Sequence, residues 1–192
     1  MIALVAGMIL FLGVHSVRIV APAWRSRQIA LRGERAWKGI YSAASLAGFV
    51  LLVWGFGQAR AEPVVLWIAP VWTRHLAALL TLPAFVLIVA GNMPGTRIKA
   101  KIGHPMVAGV KLWAFAHLLA TGRLADVVLF GGFLAWAVVD FIASRRRDRL
   151  AGVRYPAGTA GGDLRAVVIG VVGWALFAFL LHGWLIGVKP FG

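Results

Sequence analysis

Six long apolar runs constrain the fold of this chain more than any other feature of its sequence. Four are close to the length of about 20 residues that a helix needs to cross the hydrocarbon core of a bilayer, and the third and fourth are shorter. Because their apolar residues are continuous and do not alternate with polar ones, they predict transmembrane helices and not barrel strands. The predicted fold is an all-α polytopic membrane bundle in a single domain, 1–192. The runs are 2–20, 37–57, 76–90, 105–120, 125–143 and 166–188.

Basic residues alternate with these runs along the chain. The linkers after the first, third and fifth runs, together with Lys38 at the start of the second run, hold 14 of the 20 Lys and Arg residues. Positive charge accumulates in cytoplasmic loops, so we expect an inner-membrane protein whose two termini both lie on the non-cytoplasmic side. The net charge of +14 is therefore a topology signal, and no nucleic-acid partner is expected. The arginine-rich stretch 144–165 is expected to form a flexible loop against anionic headgroups.

Composition excludes several classes of protein. A chain that is 61% hydrophobic and 14% charged, with a mean hydropathy of +0.86, is neither a soluble enzyme core nor a disordered segment. The absence of cysteine excludes disulfides, Cys-ligated zinc, iron–sulfur clusters and thiol nucleophiles. Motifs of soluble enzymes are also absent, so a catalyst built on this chain needs a cofactor held by other side chains or by backbone.

The five histidines fall into two layers when the helix rise is applied to the predicted spans. His15 and His104 lie near the cytoplasmic end, whereas His75, His117 and His182 lie toward the outer end. Paired imidazoles from different helices are how helical bundles ligate haem iron, and zinc or copper also accepts imidazole. The alternative interpretation is that each ring hydrogen-bonds a nearby carbonyl or lies in the interface.

Among the other ionisable residues within the predicted spans, Arg18, Lys111 and Asp140 bear on a site. Arg18 shares a helix face with His15, and Lys111 shares one with His104. Arg18 or Lys111 would neutralise an anionic group, such as a haem propionate, beside these histidines. In the other interpretation Arg18 snorkels to the surface and Lys111 forms a structural ion pair with Asp140.

A series of short motifs in the chain resembles the NnrU protein family, and the resemblance covers nearly the whole length. That family is associated with bacterial denitrification and nitric oxide metabolism. The motifs are Gly33-Glu34-Arg35-Ala36-Trp37-Lys38, His104-Pro105-Met106, Gly109, Leu112-Trp113, Ala116-His117-Leu118-Leu119 and Leu129-Phe130-Gly131-Gly132-Phe133.

The chain is also similar to the cis-zeta-carotene isomerases, integral membrane enzymes that use haem b to isomerise a cis double bond. The similarity selects His15, His104 and His117 and omits the other two histidines. Gly103 stands where the isomerases have an arginine, and Met106 replaces a glutamine. The matching positions are His15-Ser16, Gly33 to Trp37, His104-Pro105, Trp113 and Ala116-His117.

Depth and resemblance agree on His15 and His104, which we predict to be the axial ligands of a haem b. His117 is roughly 20 Å from His104 along one helix, too far for the same iron, and is expected either behind the ligands or at an outer site. Arg18, Lys111 and His117 complete the predicted cofactor-binding set, and no residue is assigned a catalytic role. Pro105 suits the first turn of a helix, which predicts His104 as its N-cap.

Three functions remain open from the sequence. The first is a haem-dependent cis–trans isomerase acting on a lipid-soluble polyene. The second is a non-enzymatic accessory protein that works with enzymes of nitrite or nitric oxide reduction. The third is a small-molecule transporter, suggested by Lys111 and Asp140 inside the bundle.

Overall fold

The computed structural model describes residues 1–191 and consists of helices joined by short connections. No strand forms within that range, where two isolated bridges join Val65 to Arg123 and Thr96 to Thr159. The prediction of an all-α fold is confirmed. The elements are α1 (Ile2–Val20), α2 (Pro22–Arg32), α3 (Glu34–Ala61), α4 (Val71–Asn92), α5 (Arg97–Ile102), α6 (Pro105–Ala120), α7 (Leu124–Leu150), α8 (Ala160–Leu176), a π-helical turn (Phe177–Leu181) and α9 (His182–Ile186).

Five helical segments among residues 1–191 are long and apolar enough to cross a membrane. They are α1, α3, α4, α7 and the continuous segment Ala160–Ile186, while α6 is apolar but shorter. Many large apolar side chains are exposed along these helices, as expected where lipid replaces water as the surrounding medium. The chain is therefore a polytopic helical membrane bundle.

The helices group into two compact units. The first comprises residues 1–66 and 123–132, and the second comprises residues 67–122 and the chain from residue 133 onward. His15 and Arg18 belong to the first unit. The other four histidines and Lys111 belong to the second.

In the first unit, α1 crosses α3 at glycines that bring the two backbones into contact. A Cβ atom on Gly48 would lie 2.8 Å from the backbone nitrogen of Phe11. Gly7 and Gly55 face backbone atoms of the opposite helix at still shorter range. Small residues at such crossings let membrane helices pack by close van der Waals contact, which compensates for the missing hydrophobic drive between them.

In the second unit, α4 packs against both α6 and α8. A Cβ on Gly109 of α6 would lie 2.7 Å from the carbonyl oxygen of Ala84. Gly170 of α8 approaches Val86 equally closely, since its Cβ would lie 2.7 Å from the Cα of that residue. These contacts hold α6, which begins beside His104, in a fixed position within the unit.

The short connection before α6 is ordered by polar contacts within the second unit. The Thr96 hydroxyl accepts from the Lys99 amide, and the Asp163 carboxylate accepts from the Ile98 amide at 3.1 Å. Thr159 in turn caps α8 by accepting from the Gly162 amide. Side-chain caps of this kind satisfy amides that have no partner within the helix. They anchor α5 immediately before Gly103 and His104.

The expectation of a flexible loop over 144–165 is wrong for most of that stretch. Helix α7 continues to Leu150, and α8 already begins at Ala160. The change from apolar to charged residues after Ala143 ends the apolar run without ending the helix, because arginine is a good helix former. Side-chain bonds from Ser144 to Asp140 and from Arg147 to Ser144 support the continued turns.

Candidate functional site

His15 lies in α1 of the first unit with its ring held in one orientation. Its Nδ1 is 2.7 Å from the carbonyl oxygen of Phe11, which can only accept, so Nδ1 carries the proton and donates. In the neutral ring the lone pair is then on Nε2. The ring also contacts the Phe11 ring at 4.3 Å and meets Tyr41 edge-on at 5.4 Å, both measured between ring centroids.

His104 is the N-cap of α6 and Pro105 occupies the first turn, as the sequence predicts. The imidazole belongs to a hydrogen-bonded cluster with Asp148, near the C-terminal end of α7, and Tyr155, in the connection between α7 and α8. Its Nε2 lies 2.8 Å from Oδ2 of Asp148 and 3.2 Å from the hydroxyl of Tyr155. Tyr155 itself donates to the same Asp148 oxygen at 2.5 Å. The carboxylate therefore accepts from both partners, and Nε2 of His104 carries a proton.

Asp148 lies beyond Ala143, where the predicted fifth span ends, and its environment stabilises the ionised form. Burial by itself raises the pKa of this carboxyl. The hydrogen bonds from Tyr155 and His104 and the positive charge of Arg145 lower it by more, so the pKa lies below its ordinary value. The carboxylate side chain is 18% exposed, so these contacts are only partly screened by solvent. Asp148 is consequently a fixed negative charge beside His104.

Gly103 adopts a left-handed conformation with φ of +78° and ends α5. The space beside its Cα is filled by the guanidinium of Arg145, whose Nη1 would lie 2.7 Å from a Cβ at this position. The ring of Tyr155 lines the same space. Arg145 of α7 therefore places a guanidinium directly beside Gly103.

His117 and His182 meet within the second unit. Their rings are nearly parallel, 19° apart, with centroids separated by 6.5 Å. Each Nδ1 lies within hydrogen-bond distance of a main-chain carbonyl, that of Trp113 at 2.8 Å and that of Val188 at 2.6 Å. A π-helical turn directly precedes His182, and such insertions change the direction in which the following side chains point.

The interpretation that pairs Lys111 with Asp140 is wrong. The ammonium group of Lys111 lies 4.7 Å from the centre of the Phe141 ring, a cation–π contact. Asp140 instead accepts from Ser144 and lies 3.8 Å from a guanidinium nitrogen of Arg147. All three residues lie on one face of α7, since Ser144 follows Asp140 by four positions and Arg147 follows it by seven. Asp140 therefore finds its partners within its own helix.

The remaining residues selected from the sequence show fewer contacts. Arg18 is exposed in the last turn of α1, where a cation also complements the helix dipole. His75 is exposed near the start of α4. Within residues 1–191, no group of three or more His, Cys, Asp or Glu side chains converges in a way that would hold a metal ion.

Sequence reasoning missed Asp148, Tyr155 and Arg145 as neighbours of His104. Asp148 is 44 residues and Tyr155 is 51 residues away along the chain, so periodicity on a single helix could not connect them. The one usable signal was that the chain has only 6 acidic residues, which makes an Asp next to three arginines worth testing as a partner for histidine.

Comparison with known families gives one decisive match. Residues 3–190 match the NnrU protein family. The chain belongs to the NnrU protein family. Together with its apolar helices, this makes it an integral membrane NnrU protein. No curated protein and no solved structure matches the chain.

The histidines of this NnrU protein suit the haem that the resemblance implies. A metal-bound histidine donates its other ring N–H to a carbonyl or carboxylate, which fixes the tautomer. His15 meets this condition with Nε2 as the ligating atom, since Nδ1 donates to Phe11. His104 meets it with Nδ1 as the ligating atom, because Nε2 donates to the Asp148 carboxylate. The donor chemistry of each residue, taken by itself, is therefore compatible with ligation of iron.

Proposed function

We propose that this NnrU protein binds haem b through histidine ligands and acts on a lipid-soluble substrate, as a carotenoid cis–trans isomerase does. The observation that carries the proposal is the hydrogen bonding of His15 and His104. Each ring has one nitrogen committed as a donor to a protein oxygen, 2.7 Å from Phe11 and 2.8 Å from Asp148. When bound, haem would supply the electronic change that loosens the double bond.

The chain's own residues would orient and balance this group. Asp148 would hold the His104 ring and make it a stronger ligand, because an anionic acceptor on one nitrogen raises the basicity of the other. Arg18 and Lys111 remain the proposed partners for anionic substituents of the cofactor. Arg145, which already lies against Gly103, is a further guanidinium suited to that role.

We propose the bacterial inner membrane as the location, with both termini on the non-cytoplasmic side. The charge alternation between linkers supports this orientation. In it the His104 cluster lies at the cytoplasmic end of the second unit. The substrate would approach from the bilayer, which is consistent with a chain whose helices expose large apolar side chains along their length.

The experiment is an absorption spectrum of the detergent-solubilised protein after expression with ample haem. We expect a Soret band in the wild type that is lost in His15→Ala and in His104→Ala. His75→Ala is the matched control, because His75 is exposed and outside the proposed ligand set, and it should keep the band. Bands that survive both ligand substitutions would contradict the assignment of these two residues.

A role as an accessory protein of nitrite or nitric oxide reduction is the competing outcome. It predicts a denitrification defect in a deletion strain that is rescued equally by wild type and by His15→Ala. Normal nitrite respiration together with accumulation of a cis-carotenoid would instead support the isomerase. The transporter gains no support from these contacts, because Lys111 lies against Phe141 and Asp140 lies near Arg147, so the two residues do not form a pair.

A further inference from the structure

Helix α2 (Pro22–Arg32) is a separate element whose function the haem proposal does not explain. The sequence treats it as part of a basic linker, but it forms a helix of 11 residues with no buried side chain. It runs from the end of α1 at Val20 to the start of α3 at Glu34, and both neighbours are candidate membrane spans. Because both ends are tied to spans, this helix of roughly 16 Å lies at the surface of the membrane.

The helix has one apolar face that is largely exposed, although the Trp24 ring meets the Trp37 ring of α3 edge-on at 5.7 Å between centroids. Trp24 and Leu31 are seven residues apart and therefore share a face. They are 51% and 69% exposed. Ile29 points to a different side and is half-buried. An exposed Trp–Leu face on a surface helix is typical of segments that lie in the interface between headgroups and acyl chains.

Positive charge borders this apolar face. Arg25, Arg27 and Arg32 lie on α2, which has no acidic residue. Arg25 also stacks near the Trp37 ring, with 6.0 Å between the guanidinium carbon and the ring centre. The nearest acidic side chain along the sequence, Glu34, is already paired with Lys38 at 2.9 Å. Glu34 also interacts electrostatically with Arg25, but this one carboxylate, shared with Lys38, offsets only part of the charge of the three arginines.

We propose that α2 is an in-plane anchor that binds the headgroups of anionic phospholipids, with Trp24 and Leu31 inserted at the acyl boundary. Charge complementarity selects the lipid, because three arginines on a helix without acids face a leaflet that carries negative headgroups. Aromatic rings and arginine side chains are both suited to the membrane interface, where the rings contact acyl chains and the guanidinium groups contact headgroups. The interaction fixes the ends of α1 and α3 at one level of the membrane.

The cysteine-free sequence allows a direct test with the full chain. A polarity-sensitive fluorophore is attached to Leu31→Cys, and for comparison to Ser26→Cys on the opposite face of α2. The protein is reconstituted into phosphatidylcholine vesicles with or without phosphatidylglycerol. We expect the emission at position 31 to shift to the blue only when phosphatidylglycerol is present, and the emission at position 26 to remain that of water.

Charge variants separate a specific anchor from diffuse attraction. Replacing Arg25, Arg27 and Arg32 by glutamine should abolish the shift and weaken phosphatidylglycerol binding, by about fivefold per arginine. The matched control replaces Arg149, Arg154 and Arg165, three exposed arginines outside α2, and should leave the shift intact. Folding of both variants is checked by size exclusion and circular dichroism.

Three results would overturn the anchor. Equal shifts in both vesicle types would show that insertion needs no anionic lipid. Equal losses in the two triple variants would show that total charge, and not α2, attracts the lipid. A fluorophore at position 31 whose emission remains that of water in both kinds of vesicle would show that the face does not bind lipid and would favour an acidic protein partner.

Discussion

At the scale of single residues, the carboxylate of Asp148 decides which nitrogen of His104 carries the proton. It accepts from Nε2 at 2.8 Å and from the hydroxyl of Tyr155 at 2.5 Å. The N-cap position of His104 follows from the proline after it and was predictable. The partners of His104 could not be predicted from the sequence, because α7 and the connection beyond it reach His104 only through tertiary packing.

The Asp148 cluster predicts a loss of stability in acid. A carboxyl whose pKa is lowered by folding stabilises the folded state above its ordinary pKa of about 4, and this stability is lost as the pH falls through the folded value. Tyr155→Phe removes one of the hydrogen bonds that lower the pKa, so its melting temperature should depend less on pH in that range than that of the wild type. Thermal melts in detergent at a series of pH values from neutral into acid measure this. An unchanged acid dependence in Tyr155→Phe would refute the role of Tyr155.

Gly103 predicts a second residue-scale effect. Its φ of +78° is unfavourable for any side chain, and a Cβ there would also press on Arg145. Gly103→Ala should therefore destabilise the protein by about 1–2 kcal/mol. Gly33→Ala is the control for backbone strain alone, since Gly33 has a φ of +81° and a Cβ at that position would have nothing within 4 Å. Equal melting temperatures for the two variants would show that Arg145 does not constrain the site.

At the scale of elements, the crossing of α1 and α3 depends on glycine. The sequence predicted these helices from apolar runs, and α1 begins at Ile2 and ends at Val20. It could not show which of the 23 glycines form contacts, because glycine is frequent throughout the chain. Charged segments were harder still: α2 and the last turns of α7 are helical although they lie outside the long apolar runs.

Two glycines of α3 provide a matched test of the crossing. Gly55 faces the backbone of Leu4, whereas Gly57 has nothing within 4 Å of a Cβ position. Gly55→Ala should destabilise the first unit by about 1–3 kcal/mol through overpacking. Gly57→Ala should be neutral or slightly stabilising, because alanine favours helix. Unfolding in mixed detergent measures both, and a neutral Gly55→Ala would contradict the close approach.

At the scale of the whole molecule, the distribution of charge predicts the orientation. The sequence was sufficient to predict a polytopic membrane protein, because the length of an apolar run and the charge of a loop can each be determined from a single segment. We expect an impermeant maleimide to label Glu62→Cys in intact spheroplasts and Ser26→Cys only after lysis. The unsubstituted chain has no cysteine and serves as the blank. The reverse labelling pattern would invert the topology and move the His104 cluster to the outer side.

The most direct measurement of the central claim is the haem content of the purified wild-type protein, determined by pyridine haemochrome absorbance against protein concentration. Binding through histidine ligands predicts about one haem b per chain, with a Soret band that shifts on reduction. Protein that is folded, purified from haem-replete cells and free of any Soret absorbance would contradict the claim.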